Sequence, residues 1–364
     1  MKTETVSVIN KEIEEFLHER GAIKVGFATL ETLKSEMPST DITYLLPEAR
    51  SAISFALAEN REQFRDFLAK KDQQKCDISN RKLMTKSDEI ATELAGWLEK
   101  KGFKSKSTSN NEIYRDDIPR WRELMVPDIS HRYIAVASGV GSFGWSGNLL
   151  VEGHGSAVLL NTVVTSAELA PTSRIPEGEG YCVMCKLCVA ACPSKFTDAN
   201  EKTTIIIGAE EFTYGKKNDK NRCNYVCGGF SGLHRSKKWS TWSPGRLPMP
   251  EKDEKFQKLI FKAVMNYVKW PKRRENGVEV ASGNYNPLIP DIKIYQTCGN
   301  CQKICAGSKE ENRKNYDLLV NSGCVIQKPD GDIIVLPSDK AQEMFDGFPV
   351  KHQKKYGKKK SETS

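Results

Sequence analysis

Four cysteines between Tyr181 and Pro193, at positions 182, 185, 188 and 192, stand in the spacing C-x2-C-x2-C-x3-C followed by proline. In this pattern the first three thiolates close on one [4Fe–4S] cube and the fourth reaches across to a second cluster. One run therefore calls for another, and Cys298, Cys301 and Cys305 repeat the spacing of its last three positions. Two clusters need eight thiolates and the runs supply seven, so the eighth falls to Cys223 or Cys227 in NRCNYVCGG. Ferredoxin logic assigns Cys182, Cys185, Cys188 and Cys305 to one cluster, and Cys192, Cys298, Cys301 and one of that pair to the other. Structural zinc, the competing chemistry, usually takes two C-x2-C pairs and needs neither the third cysteine nor the Cys-Pro.

The chain has 364 residues, enough for two or three domains, and an odd count of 11 cysteines. In a reducing compartment such a pattern means metal or redox chemistry rather than a disulfide framework. Charged residues make up 28% of the chain and no apolar run nears membrane-spanning length, so a protein without membrane partners is expected. The N-terminus has neither the apolar core of a secretion signal nor a twin arginine, which points to the cytoplasm. The net charge of +8 is local: residues 193–297 carry +8 and residues 350–364 carry +5, leaving −5 elsewhere. The lysine-rich end reads as a disordered tail. The basic insert between the cysteine runs suits an acidic electron donor, a phosphate-bearing cofactor or RNA.

The elements that must position these thiols follow from periodicity. Residues 5–20 repeat apolar side chains at helical spacing, and Gly21 stops them. Ala22–Thr29 and Pro47–Ala58 read as strands, residues 60–80 as an exposed helix followed by a loop holding Cys76, residues 83–101 as an amphipathic helix, and Phe103–Ser107 as a strand. This alternation points to an α/β domain over residues 1–169. Glycines at 139, 141, 144, 147, 153 and 155 end it. The first three spell G-x-G-x-x-G, but Trp145-Ser146-Gly147-Asn148 breaks the helix a dinucleotide site requires, so the expectation is a glycine-lined wall for a flat cofactor.

Residues 170–310 form the expected cluster domain, with residues 193–297 as its insert. Within that insert, His234–Arg246 (HRSKKWSTWSPGR) interleaves cations with Trp239 and Trp242, either to bind RNA or an anionic ring, or to shield a cluster while the charges face solvent. Residues 255–270 read as an amphipathic helix. Residues 311–349 hold a helix and a hairpin, Cys324–Pro337, with Cys324 a buried structural thiol.

An α/β domain ending in Gly-Trp-x-Gly, followed by C-x2-C-x2-C-x3-C-P and C-x2-C-x3-C, resembles the epoxyqueuosine reductase and reductive dehalogenase superfamily over about residues 20–310. The resemblance implies a nitroreductase-like α/β domain joined to a ferredoxin-like double-cluster domain, with base-off cobalamin in the cleft between them. Gly144, Trp145 and Gly147 would then bind the cofactor. Epoxyqueuosine reductases place a general-acid aspartate sixteen residues before the glycine of Gly-Trp, where this chain has Asp128. A helix N-cap is the plainer role for that residue, and His131 and Tyr133 are reserve proton donors. The resemblance also prefers Cys223 over Cys227, since Arg222 precedes it. Three departures stand out: Asn148 where the family has lysine, Ala306 where it has proline after the last cysteine, and only 59 residues after Cys305. That length is short for tRNA-binding helical repeats and argues against tRNA, and the dehalogenases' export signal is missing.

Together these features imply a cobalamin-dependent iron–sulfur reductase. It would take electrons from ferredoxin or flavodoxin and remove oxygen or halogen from a small or nucleoside-like substrate. The alternative is an electron-transfer or activator protein that reduces a partner corrinoid or metalloprotein and has no substrate of its own; an RNA-modifying reductase is a third reading.

Overall fold

The computed structural model describes residues 2–109, 113–124, 126–176, 178–250, 252–280, 284–286 and 289–357. Helix α1 (Lys2–Glu19) leads through Gly21, whose φ is +94°, into β1 (Ala22–Thr29). Next come β2 (Ser51–Ala58), α2 (Arg61–Leu68), α3 (Gln74–Lys100), β3 (Ser105–Ser107), α4 (His131–Ala137) and β4 (Val158–Thr165). The four strands form one sheet in the order β1-β2-β4-β3, and every pairing is antiparallel. The fold is a mixed α/β one, but its sheet lacks the parallel crossovers that alternating helices and strands suggest.

The sequence of β2, SAISFALA, explains the layering. Ile53, Phe55 and Leu57 project to one face, where they meet Ile13 and Leu17 of α1 and Ile90, Leu94 and Leu98 of α3. Ala52 and Ala56 project to the other, and their small side chains admit α4 through Ile134, Ala135 and Ala137. Ser130 caps α4 by accepting a hydrogen bond from the Tyr133 amide.

Two boundaries differ from expectation. The second strand begins at Ser51, because Pro47–Arg50 form a turn. Helix α3 begins at Gln74, and Cys76 lies in its first turn, buried against Phe64, Phe67 and Trp242. The charges that made this stretch read as loop occupy the helix's outer face, while tertiary packing holds the inner one.

Past the sheet, the insert opens with a hairpin, β5 (Thr197–Ile207) and β6 (Glu210–Lys217), turning at Gly208 with φ +65°. It continues through α5 (Lys220–Cys227) and α6 (Phe256–Tyr267). Helix α7 (Lys309–Val320) and the hairpin of β7 (Cys324–Gln327) and β8 (Ile333–Leu336) follow, with Cys324 buried. The expected disordered tail is corrected up to residue 357: Val350–Lys355 are helical, Tyr356 is buried, and its ring stacks on Trp270 at 4.4 Å. Residues 358–364, which hold three of the tail's lysines, lie outside the described residues.

Gly26 marks the closest approach of α4 to the sheet. A Cβ there would stand 2.1 Å from the Ser138 carbonyl oxygen, which already accepts the Thr172 hydroxyl proton at 2.8 Å. Gly26→Ala is expected to cost about 1–3 kcal/mol of stability, measured by denaturant unfolding; an unchanged midpoint would show that the end of α4 moves away freely.

Candidate iron–sulfur centres

The first cysteine run winds through left-handed backbone at Met184 and Lys186, with φ +50° and +54°, before a single helical turn at Leu187–Ala190. Such conformations cost about 1–2 kcal/mol per residue and hold only where the surroundings impose them. The second run enters its own short helix, Asn300–Lys303, through Gly299 at φ +99°. Ser156 ties this run to the sheet domain, its amide donating to the Cys305 carbonyl at 2.9 Å.

Nine cysteines from three segments sort into two neighbouring groups. Cys305 feels the charges of Cys182 and Cys185, and Cys188 feels those three together with Cys301. Cys192, Cys223, Cys227, Cys298 and Cys301 line one cavity of about 290 Å³. The thiols are spread rather than converged: among the described residues, no set of three or more His, Cys, Asp or Glu could hold a single metal ion. A [4Fe–4S] cube would hold its four thiolates on four separate irons, the chemistry that the C-x2-C-x2-C-x3-C spacing calls for. Burial, reinforced by neighbouring thiols, pushes Cys188 and Cys301 up to about 12. Ionising such a set needs the compensating charge of iron.

Cys223 and Cys227 are the pair from which the eighth ligand would come. The Cys227 Sγ lies 3.4 Å from that of Cys223, and it shares a hydrogen bond with Cys298 that brings Cys298 down to about 7. Cys223, by contrast, is the member of the pair whose charge reaches both Cys192 and Cys301. Ligands on different corners of a cube do not touch, so this geometry favours Cys223 as the ligand and Cys227 as a donor behind it.

Several polar groups aim at the ligand sulfurs. The Trp145 amide donates to Cys182 at 3.4 Å, Asn312 Nδ2 to Cys185 at 3.5 Å and Asn148 Nδ2 to Cys301 at 3.8 Å, while Ser194 Oγ lies 3.2 Å from Cys192. Bonds of this kind help to set cluster potential. Asn148 donates to its sulfur through the side-chain amide, and the Ala306 amide, which a proline would lack, donates to Asn312 Oδ1 at 2.6 Å and orients it. Trp239 is buried with Ala191 and Ile304, which adjoin Cys192 and Cys305, and Trp242 is buried against Phe67. The two tryptophans therefore shield the interior and offer no surface for stacking bases.

The glycine wall is not the open face expected. Hairpin β5–β6 covers it: the Gly215 amide donates to the Trp145 carbonyl at 3.0 Å, and Trp145 Nε1 donates to the Asp198 carbonyl at 2.8 Å. A Cβ on Gly147 would stand 3.0 Å from Lys217 Cε, and one on Gly144 3.1 Å from Leu150. Gly144, Trp145 and Gly147 thus pack against this chain's own atoms. The 290 Å³ cavity beside them lies at the lower end of small-molecule sites, roughly 300–1,000 Å³, and cysteines line much of it.

Asp128 is 1% exposed and is not among the residues that line the 290 Å³ cavity. Its Oδ2 accepts from Thr108 Oγ1 at 2.8 Å and its Oδ1 from the Ile129 amide at 2.7 Å, while Ser130 takes the cap. Its carboxylate is therefore held in the interior and is not the cap. His131 is buried with Nδ1 2.9 Å from Thr162 Oγ1, and burial pushes it below its ordinary value. Of the reserve donors, Tyr133 does line the cavity, hydrogen-bonded to Tyr214.

Arg132, Tyr214 and Lys217 join Tyr133 at the cavity's polar end, and sequence reasoning passed over all three. Lys217 Nζ donates to the Ser146 carbonyl and to Thr197 Oγ1, and burial pushes it down to about 8. It sets an ammonium beside Gly147, one position from the lysine missing at 148. The signal was there in TTIIIGAEEFTY, a β-branched run with a glycine turn.

No family model matches the chain, and no curated protein matches it. Among solved structures it is similar to the epoxyqueuosine reductase of Bacillus subtilis, at 20% identity and a TM-score of 0.35, over 52% of this chain and 53% of that one. It is similar to a catabolic reductive dehalogenase at 16% identity and a TM-score of 0.44, over 59% of this chain and 28% of that one. A further reductive dehalogenase, whose structure suggests B12-dependent dehalogenation, matches at 16% identity and 0.44 over 69% and 33%. These are structures from the superfamily that the motifs resemble. The chain spans about half the length of the reductase and about a third of the dehalogenases.

Replacing each member of the extra pair separates their roles. Cys223→Ala is expected to lose about half of the iron, one of two four-iron clusters, whereas Cys227→Ala keeps it and shifts the potential of the cluster beside it. Iron analysis and redox titration read the two effects, and the reverse pattern would exchange the assignments.

Proposed function

We propose that this protein is an iron–sulfur oxidoreductase with two [4Fe–4S] centres that acts reductively on a small substrate at the polar end of the cavity beside Gly147. The observation that carries this reading is the gathering of nine cysteines from three segments into two adjoining, mostly half-buried groups, with Cys301 the strongest neighbour of Cys188 across them. Cys182, Cys185, Cys188 and Cys305 would hold one cluster, and Cys192, Cys223, Cys298 and Cys301 the other. When bound, the clusters supply low-potential one-electron chemistry. The chain does the rest. Trp239 keeps water from the interior, the amides of Trp145, Asn148 and Asn312 hold the sulfurs, and Arg132 and Lys217 place positive charge where a reduced substrate would gain negative charge. Tyr133 and Tyr214 bear the protons nearest that end; burial raises the Tyr214 phenol, so it keeps its proton at neutral pH. No helix among the described residues is long and apolar enough to cross a membrane.

A second reading, compatible with the covered glycine wall, is an electron-transfer or activator protein that delivers electrons to a partner metalloprotein. Under either reading the donor would be a small low-potential carrier such as ferredoxin or flavodoxin.

Anaerobic reconstitution is expected to load about eight irons per chain; two or fewer, with bound zinc, would overturn both readings. Cobalamin added to the loaded protein should keep its base-on spectrum. Conversion to the base-off form would mean that β5–β6 leaves the wall, and would restore a corrin there. Lys217→Met should retain the iron and move the potential of the adjacent cluster to more negative values, because a buried positive charge is lost. An unchanged potential would remove Lys217 from the site.

A further inference from the structure

Apart from the shielding by Trp239, the stretch His234–Arg246 is left unused by the proposed chemistry, and its tryptophans are buried. Its charges, however, converge on a cleft of about 560 Å³ walled by Pro193, Pro248 and Pro250. Lys195, Arg222, Arg235, Lys237 and Arg246 line this cleft and, among the described residues, no carboxylate does. Arg222 is already paired with Asp253, and Arg246 bonds Gln342 through Nη1 at 3.1 Å, but the buried Nε of Arg246 has no partner.

His234 is the sharper feature. It lines the same cleft at 7% exposure, its ring stacked on Trp239 with centroids 4.4 Å apart. The Ser236 amide donates to its Nδ1 at 3.2 Å, so in the neutral ring the proton sits on Nε2. That Nε2 is buried and without a partner. Burial and the charge of Arg235 push the ring down to about 4, which keeps it neutral at pH 7. Two buried N–H donors without acceptors, among several cations and no carboxylate, call for an anion with more than one oxygen and more than one charge.

We propose that this cleft binds the phosphate group of a small phosphorylated molecule, with His234 Nε2 and Arg246 Nε donating to its oxygens and Lys195, Arg235 and Lys237 supplying charge. A small ligand fits better than a nucleic acid strand, because the donors are recessed, the walls are proline and no ring is exposed to stack a base. The cleft also reaches the cluster region, since Pro193 and Ser194 follow Cys192 directly and Ser194 Oγ is 3.2 Å from its sulfur. A bound dianion should therefore make that cluster harder to reduce.

The test is isothermal titration of the full chain, clusters loaded, with inorganic phosphate, adenosine monophosphate and an RNA stem-loop lacking terminal phosphate. Phosphate or the mononucleotide should bind saturably, one per chain; the stronger of the two identifies a free or an esterified phosphate. His234→Phe keeps the stack on Trp239 and removes the donor, and should weaken binding about tenfold or more. The double variant Lys195→Ala, Lys237→Ala, at exposed positions, should weaken it similarly and flatten its salt dependence. Phosphate should also lower the potential of the Cys192 cluster, whereas the binding arms stand whether or not the redox reading does. Absence of saturable binding, or indifference to both variants, would overturn the site. Binding of the RNA alone, lost in the lysine variant but not in His234→Phe, would replace it with a nucleic-acid face.

Discussion

Nine thiols packed into one interior region are the constraint on which the rest of the molecule depends. Burial raises Cys188 and Cys301 to about 12, and each thiolate formed opposes the next. The arrangement suits a charge-neutralising metal cluster in each group far better than it suits free thiols. The backbone carries the cost of building it. Left-handed residues at Met184 and Lys186 bend the first run, Gly299 opens the second, and Ser156 anchors the second run to the sheet domain. Polar groups from two further segments, Trp145–Asn148 and α7, then converge on the sulfurs, so the thiols are tied to the rest of the chain.

Hairpin β5–β6 has a second large effect. By lying over Gly144–Asn148 it turns glycines that could have faced a flat cofactor into points of close backbone contact. It also carries Lys217 and Tyr214 to the edge of the cluster cavity, so one element closes a surface and furnishes a site. Asn148 and Ala306 read as losses when set against the family pattern. In the structure each makes a hydrogen bond, the one from the Ala306 amide being closed to proline, and both bonds lead to a cysteine sulfur directly or through Asn312.

The basic insert divides in the same way. Its apolar half, Trp239 and Trp242, goes inward beside Ala191, Ile304 and Phe67, and its cations are left around His234 at a proline-walled cleft. Sequence composition records both halves as one basic aromatic stretch. Burial alone separates them.

By itself the sequence determined the cysteine framework, because cluster ligation depends on local spacing that the chain displays directly. It also determined the first strand, the amphipathic helices and the hairpin at Cys324–Pro337, whose apolar periodicity is a local property. Tertiary structure decided the rest. Cys76 went into a helix because packing against Phe64 and Trp242 outweighed its charged neighbours. Asp128, sixteen residues before Gly144 on paper, was turned into the interior toward Thr108. The choice between Cys223 and Cys227 rests on which sulfur of one helix faces Cys192 and Cys301. Each of these outcomes depends on contacts between segments distant in the chain, and spacing along the sequence does not encode which of two competing surfaces another element will cover.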